Sequence, residues 1–289
     1  MRVFAHPTDK SRGLDRIAAA VKRHAPSDIK IVNSKDEADL VILFINGRRE
    51  HTKIEIDRLT RQGKNYAIVQ ACVRSTKNPS TVDWLPLWQG AELVWSYYDL
   101  PALCAEDKMS ADFNFYHAPL GIDKAFKVYP TKKKYIIATS GLGYLTESAR
   151  ECILAAIGVN KRVFHVGPVI TNRPEVDFSN GMADASLAKN YSACEFVSGL
   201  RRIEGFELPV IEGLACGARP IVFDRPHYRH WFENLAIFIP ETNRDGVVNS
   251  LSKVFKKGAK PVTKAEIKEA RKRFNWEVIV KGFWEKCLI

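Results

Sequence analysis

Residues 39–46, DLVILFIN, form an unbroken apolar run bounded by polar residues, and this run limits the possible folds more than any other feature of the chain. A strand with one wet face would alternate polar and apolar side chains. A run that is apolar at nearly every position fits a strand covered on both faces, as in the middle of a parallel sheet. Strand and helix patterns alternate around it. Residues 2–5 read as a short strand, and residues 14–24 as a helix with Ile17, Ala18 and Val21 at helical spacing. Residues 52–62 read as a second helix, and residues 65–70 and 93–96 as further strands. Such alternation predicts an α/β domain on a parallel sheet.

The stretch from Pro119 past Phe126 to Lys134 is polar and proline-bearing, which suits an interdomain linker. The alternation then restarts. Strands are expected at 135–139, 162–166, 195–197, 220–223 and 236–239, and helices at 146–157, 183–192 and up to Cys216. Residues 264–273 and 276–286 read as terminal helices. Two Rossmann-like halves in succession would form a cleft between the carboxyl ends of two sheets, where such folds bind ligands.

Composition limits the function classes. The 289 residues are 46% hydrophobic and 27% charged, the mixture of a globular protein. No run approaches the roughly 18 to 20 apolar residues of a membrane span, and the start reads as a strand rather than a signal peptide, so a cytoplasmic protein is expected. Six scattered cysteines show no C-x-x-C and no zinc spacing, which predicts buried, reduced thiols and no metal site. The net charge of +11 is uneven: residues 1–128 carry 19 Lys and Arg against 16 Asp and Glu, whereas residues 129–289 carry 25 against 17. Much of the excess lies between Lys253 and Arg273, either a solvated helical face or a field for phosphates, nucleic acid or anionic lipid.

The chemistry concentrates in residues 198–222, SGLRRIEGFELPVIEGLACGARPIV. Pro209 suits the first turn of a helix, where its missing N–H is not needed, and Gly217 suits a left-handed cap just past the helix end. A loop holding Glu204, Gly205, Phe206 and Glu207 therefore feeds a helix start, an anion site fit for a diphosphate. Glu204 stands in the loop and Glu212 about one turn into the helix. Two carboxylates beside an anion site match a ligand with phosphates in the middle and hydroxyl-bearing rings on either side. That is the outline of a nucleotide sugar.

Glu204 and Glu212, in the context E-G-F-x-L-P-x-x-E-x-x-A-C-G followed by a proline-led strand, resemble the paired-glutamate motif of retaining GT-B glycosyltransferases, above all glycosyltransferase family 4. Other segments are similar in order: Leu120-Gly-Ile-Asp123 with Phe126, the strand Phe164-His-Val-Gly167, residues 183–191, and Phe274-Asn-Trp276 opening the last helix. The likeness covers residues 117–289 well and residues 1–116 in outline. It implies an α/β GT-B fold of two Rossmann-like domains facing across a cleft: an acceptor-side domain at 1–128, a donor domain at 129–273, and a helix at 274–289 crossing back to the first domain.

The resemblance also implies roles. Glu204 would contact the donor sugar and Glu212 the nucleotide ribose, with Gly205, Phe206, Glu207 and Leu208 near the diphosphate. Ser140, Gly141 and Gly143 form a turn whose backbone N–H groups could meet a phosphate. The sequence departs from the family where Leu142 and Glu147 stand in place of the usual phosphate-binding arginine and lysine, and where Glu207 replaces a common glycine. Arg202, or Arg173, Arg201 or Arg225, would then have to supply the missing cation. In the first domain, Arg12 and Gly13 lie in a stretch resembling the family's first loop, on the acceptor side, although an ordinary strand-to-helix turn has the same form. His6, ending the first strand, is a candidate catalytic residue for which a structural role stays open. Gln70 occupies the strand end nearest to the family's first-domain histidine. The group Trp84, Trp88, Trp95, Tyr97 and Tyr98 reads as core packing, with stacking on a sugar or base as the other use.

These features predict a hexosyl- or pentosyltransferase that moves a sugar from a nucleotide-sugar co-substrate to a hydroxyl, with retention of configuration, and that needs no cofactor. No D-x-D cluster is present, in keeping with a metal-independent reaction. The acceptor stays open among glycans, lipid-linked or small molecules, and a hydroxylated DNA base, the last as in a viral enzyme working in host cytoplasm. A degenerate sugar-nucleotide binding module is the remaining alternative.

Overall fold

The computed structural model describes residues 1–7, 12–47, 49–73, 81–141, 148–202 and 206–288. The chain divides into two compact units: Met1–Leu120 with Phe206 and the segment from Asn275 onward, and Gly121–Arg202 with Glu207–Phe274.

In the first unit, the elements run β1 (Arg2–Phe4), α1 (Arg12–Arg23), β2 (Lys30–Val32), β3 (Leu40–Asn46), α2 (Arg49–Arg61), β4 (Asn65–Cys72), α3 (Thr81–Gln89), β5 (Val94–Ser96), α4 (Leu100–Glu106) and β6 (Phe115–His117). All six strands are parallel, in the order β2-β1-β3-β4-β5-β6. The apolar run of β3 is the reason for its central place: Val41, Ile42, Phe44 and Ile45 are buried, and Leu43 pairs with Ile68 of β4. Helix α3 forms despite Pro86, which removes one helix donor, because Trp84, Leu85, Leu87 and Trp88 all bury against the sheet side of the core. The indoles also find acceptors: Trp88 Nε1 donates to Gln70 Oε1 at 3.1 Å, Trp84 Nε1 to Val73 O at 3.1 Å and Trp95 Nε1 to Ala118 O at 3.0 Å. Tyr97 and Tyr98 are buried with them, so this aromatic group is core.

The second unit contains β7 (Tyr135–Ser140), α5 (Ala149–Ile157), β8 (Val163–Val166), β9 (Val176–Ser179), α6 (Asp184–Ser192), β10 (Cys194–Gly199), α7 (Leu208–Ala215), β11 (Arg219–Phe223), α8 (Pro226–Phe232), β12 (Ile237–Ile239), α9 (Arg244–Lys257) and α10 (Lys264–Arg273). Its sheet is also parallel throughout, in the order β12-β11-β10-β7-β8-β9. Counted from β7, that is the doubly wound order of a dinucleotide-binding fold. The basic stretch falls on α9 and α10, where Lys253, Lys256, Lys257, Lys264, Lys268 and Lys272 are exposed while Val247, Leu251, Phe255 and Ala270 face inward.

The last helix, α11 (Trp276–Cys287), belongs to the first unit. Asn275 caps it by accepting from Glu277 N at 2.9 Å. Tyr116 Oη donates to Ile279 O at 2.8 Å, Trp284 Nε1 donates to Val21 O at 3.2 Å, and the Phe283 ring lies 5.5 Å from that of Trp95. No helix among the described residues is long and apolar enough to cross a membrane.

Candidate functional site

In a doubly wound sheet the strand order reverses at one point, and the carboxyl ends of the strands flanking it leave a crevice for ligands. In the second unit that point lies between β7 and β10. Strand β7 ends at Ser140, followed by Gly141 at φ 104°. Gly167, just past β8, has φ 150°, and a Cβ there would run into Gly141 O. Both conformations favour glycine, and they bring the two strand ends together. His165 ties them: its Nε2 lies 3.1 Å from Gly141 O and its Nδ1 2.8 Å from Thr139 Oγ1. A carbonyl only accepts, so Nε2 carries the proton and Nδ1 accepts from Thr139. His165 is fully buried and has this supporting role.

Strand β10 ends at Gly199, and two residues on, Arg201 turns back over the β7 end. Its Nη2 donates to Ser140 Oγ at 3.1 Å, and its Nε lies 3.0 Å from Glu207 Oε2. Glu207 is the N-cap residue of α7 in extended conformation, yet its carboxylate makes no cap hydrogen bond. It is 2% exposed and points to Arg201, with Tyr228 Oη 3.5 Å from its other oxygen. A carboxylate buried this deeply needs a partner, and Arg201 supplies the charge. Pro209 stands in the first turn of α7, and Gly217 follows its end at φ 82°. Leu208 opens the helix half-buried. Glu212 lies inside α7 and is buried, as are its neighbours from Val210 to Cys216.

Arg202 has a different environment. Its Nη1 donates to Ser148 Oγ at 2.5 Å, its Nη2 lies 3.8 Å from Glu151 and its Nε 3.6 Å from Glu241, while the guanidinium sits 5.0 Å from the Phe223 ring centroid. Arg225 joins the same network, gripping Glu241 with two bonds of 2.6 and 2.8 Å and donating to Arg202 O at 2.6 Å. Two acids and two guanidiniums thus tie the ends of β10, β11 and β12 to α5. Arg173 is exposed beyond β8.

In the first unit the order reverses between β1 and β3, and His6 stands just past β1 at that point. Its Nε2 is buried with no hydrogen-bond partner among the described residues, and its ring lies 5.1 Å from Phe4. Burial, helped by the charge of Lys22, holds its pKa below the ordinary 6.5, so the neutral imidazole is favoured. Arg12 and Gly13 are not in a loop: they form the first turn of α1, because the helix begins two residues before the apolar periodicity does. Gln70 is wholly buried, donating to Cys72 O at 2.5 Å and accepting from Trp88, so it holds the core together. Phe206 is buried with its ring 5.8 Å from Tyr97. Glu204, Gly205, Gly143, Leu142 and Glu147 lie outside the described residues.

The structure therefore brings together Ser140, Gly141, Glu207 and the start of α7, and adds Arg201 as their link. Tyr228 belongs to the same arrangement and Ser148 to the Arg202 network, and no motif in the sequence marks either. Glu207 itself carried the one available signal, an acid placed where the surrounding pattern is apolar. Among the described residues no group of three or more His, Cys, Asp or Glu side chains is disposed to hold a metal ion.

No protein-family model matches the sequence, and comparison with curated proteins finds no match. Solved structures do match. Anabaena Alr3699/HepE, in complex with UDP and glucose, superposes with a TM-score of 0.73 at 11% identity, covering 98% of each chain. A glycosyltransferase from Rickettsia africae ESF-5 gives 0.70 at 11% identity over 99% of this chain and 98% of its own. Sucrose-phosphate synthase (tll1590) from Thermosynechococcus elongatus gives 0.69 at 15% identity over 87% of this chain and 73% of its own. At such identities the likeness shows the fold: two parallel six-stranded α/β sheets of the GT-B type.

Proposed function

We propose that the chain is a glycosyltransferase that takes a sugar from a nucleotide-sugar donor and passes it to a hydroxyl acceptor with retention of configuration. The observation that carries this reading is the switch point between β7 and β10, where Ser140, Arg201 and the start of α7 converge at the place where doubly wound sheets accept phosphorylated ligands. The UDP and glucose bound to HepE, a protein of the same fold and almost the same extent, support a nucleoside diphosphate sugar as the ligand class.

In the proposed reaction the bond from the anomeric carbon to the diphosphate breaks as the acceptor oxygen attacks from the same face, and the acceptor's hydroxyl proton passes to the departing phosphate oxygen. Charge gathers on the departing diphosphate, and fixed donors with a nearby guanidinium offset it without reorganising. Glu204 is assigned to the donor sugar and Glu212 to the ribose. His6, neutral and with its Nε2 unpartnered among the described residues, is assigned to the acceptor side.

A panel of UDP-, GDP- and ADP-sugars, read by released nucleotide with and without simple acceptors, tests the proposal. Turnover of one donor is expected, and Glu204→Ala and Glu212→Ala should each lower it by about tenfold or more. Near-normal turnover in both variants would overturn the site. Binding without any nucleotide release would leave a sugar-nucleotide binding module in place of an enzyme. The anomeric configuration of the product, read by NMR, checks retention.

A further inference from the structure

The carboxyl ends of the second sheet form the switch point, and its amino ends form an edge of a different character. Lys133 Nζ marks that edge, donating to Cys194 O at 2.5 Å where β10 starts and to Gly217 O at 3.1 Å just before β11. The turn between α9 and α10 lies there too: Ala259 N donates to Glu195 Oε2 at 3.4 Å, and Lys260 O accepts from Arg219 Nε at 3.2 Å. Ile136 N donates to Arg162 O at 2.8 Å, which sets Lys161 beside the start of β7. Lys132, Lys161, Lys256, Lys257, Lys260 and Lys264 are thus gathered at the starts of β7, β8, β10 and β11, four neighbouring strands. All six are exposed, and none forms an ion pair among the described residues. The nearby acids are engaged: Asp177 by Lys134 and Arg162, Glu266 by Arg219, and Glu195 by the Ala259 amide. Glu175 and Glu233 stand to either side, before the outermost strands β9 and β12.

A helix C-terminus favours cations, which accounts for Lys256 and Lys257 at the end of α9. It does not account for Lys132, Lys161 and Lys260 in turns. Lys264 opens α10, at the end of a helix dipole that disfavours a cation. Like charges gathered in this way cost stability, and an external polyanion recovers the cost. We propose that this edge docks on the anionic surface of a lipid bilayer. Lysine is a point charge on a flexible stem, suited to a diffuse anionic plane, whereas the guanidinium forks at this edge, Arg162 and Arg219, are spent on Asp177 and Glu266. The same edge offers an apolar side chain: Val128, beside Gly217, is more than half exposed. Next to it the Tyr129 ring lies between Lys127 Nζ, 5.6 Å from its centroid, and Lys189 Nζ, at 5.8 Å. An aromatic flanked by ammonium groups beside an exposed valine fits a headgroup layer, while a strand of nucleic acid would call for an open ring to stack on. Docking by the amino ends leaves the carboxyl ends of the same strands facing away from the bilayer, and it stands apart from the donor reading above.

The test is co-sedimentation of the full chain with vesicles of phosphatidylcholine alone and of an equimolar mixture with phosphatidylserine, at low and at high salt. Binding is expected to the mixed vesicles and to weaken as salt rises. Each lysine near such a surface contributes about fivefold, so Lys257→Gln/Lys260→Gln/Lys264→Gln should lower the affinity about a hundredfold. These side chains are exposed, and thermal unfolding checks that the variant stays folded. Lys30→Gln/Lys108→Gln/Lys286→Gln removes the same charge from exposed positions of the first unit and should change binding far less. Val128→Ser should weaken binding several-fold. Absence of binding to the mixed vesicles at low salt would overturn the proposal. An equal loss in both triple variants would trace binding to net charge and overturn the role of this edge. A duplex oligonucleotide that binds, by fluorescence anisotropy, where the vesicles do not would make the edge a nucleic-acid face and overturn the proposal likewise.

Discussion

Glu207 Oε2 lies 3.0 Å from Arg201 Nε, and the two ends of this contact are unequal: the acid is sealed from solvent while the guanidinium is one-fifth exposed. Removing each partner therefore has different consequences. Arg201→Ala takes the cation from a buried carboxylate and should cost about 3 kcal/mol, whereas Glu207→Ala leaves a guanidinium that can reach water and should cost about 1–2 kcal/mol. Urea unfolding of the two variants and the double variant measures this. Equal costs, or the reverse order, would show that the pair is not buried in the sense described.

Gly167 tests the local geometry of the crevice. At φ 150°, any L side chain is strained, and a Cβ would also meet Gly141 O and His165 Nε2. Gly181 has φ 75° with nothing within 4 Å of an added Cβ. Gly167→Ala should therefore cost about 2–3 kcal/mol against about 1–2 kcal/mol for Gly181→Ala, since only the first adds a clash to the backbone strain. Thermal unfolding of the pair decides it, and similar losses would contradict the close approach of the two strand ends.

Cys72, Cys104, Cys152, Cys194 and Cys216 are buried free thiols, and Cys287 is half-buried. Burial is the main cause that pushes the thiols of Cys152, Cys216 and Cys287 up to about 12, and it raises Cys194 further still. A thiolate is the reactive form, so the native protein should be nearly inert to a disulfide reagent at pH 8 and should release all six thiols in denaturant. Rapid reaction of several thiols in the native state would place them at the surface.

Much of the fold was legible in the sequence for a simple reason: strands buried on both faces must be apolar without interruption. Strands β3, β4, β7 and β11 announce themselves in this way. Pro209 and Gly217 mark both ends of α7 because each answers to a backbone requirement that few residues meet. The three-residue strands β2 and β6 have too few positions to display a period, and they pair at or near the sheet edge where burial is incomplete. Helix α3 is masked by Pro86, whose local cost is outweighed by burial of two tryptophans. The polar sequence of α9 hides the Val247, Leu251, Phe255 stripe on which it packs.

The site was legible only in part, because its residues are joined across elements. The motif around Glu212 is continuous in sequence and could be read directly. The partnership of Arg201 with Ser140 and Glu207 depends on β7 and β10 lying side by side, which follows from strand order and from no local pattern. The acid at Glu207 reads in the sequence as an added negative charge, whereas in the structure it is buried and ion-paired to Arg201. The start of α1 at Arg12 shows the opposite case, in which helix geometry extends past the apolar positions that announce it.

Glu266 gives the chain a defined acid sensitivity. It accepts two bonds from Arg219, at 2.6 and 3.1 Å, and closes a capping box with Thr263 at the start of α10. The hydrogen bond from Arg219 is the largest influence on its carboxyl, and with the Thr263 contacts it holds the pKa at about 2 against an ordinary 4.5. A carboxylate depressed by folding stabilises the native state fully above its unfolded pKa, and the gain disappears as pH falls through the folded value. The window is thus pH 4.5 down to about 2. With Glu266 one-quarter exposed, solvent screening reduces the contribution to roughly 1–3 kcal/mol. Arg219 is buried and bonded to the carbonyls of Lys260, Leu235 and Pro261, so protonation of Glu266 removes its counter-ion. Glu266→Gln should therefore be less stable than the wild type at pH 7, and the difference should close as the pH falls through that window. Urea unfolding at a series of pH values reads the difference directly, and two parallel curves from pH 7 to pH 3 would refute the coupling.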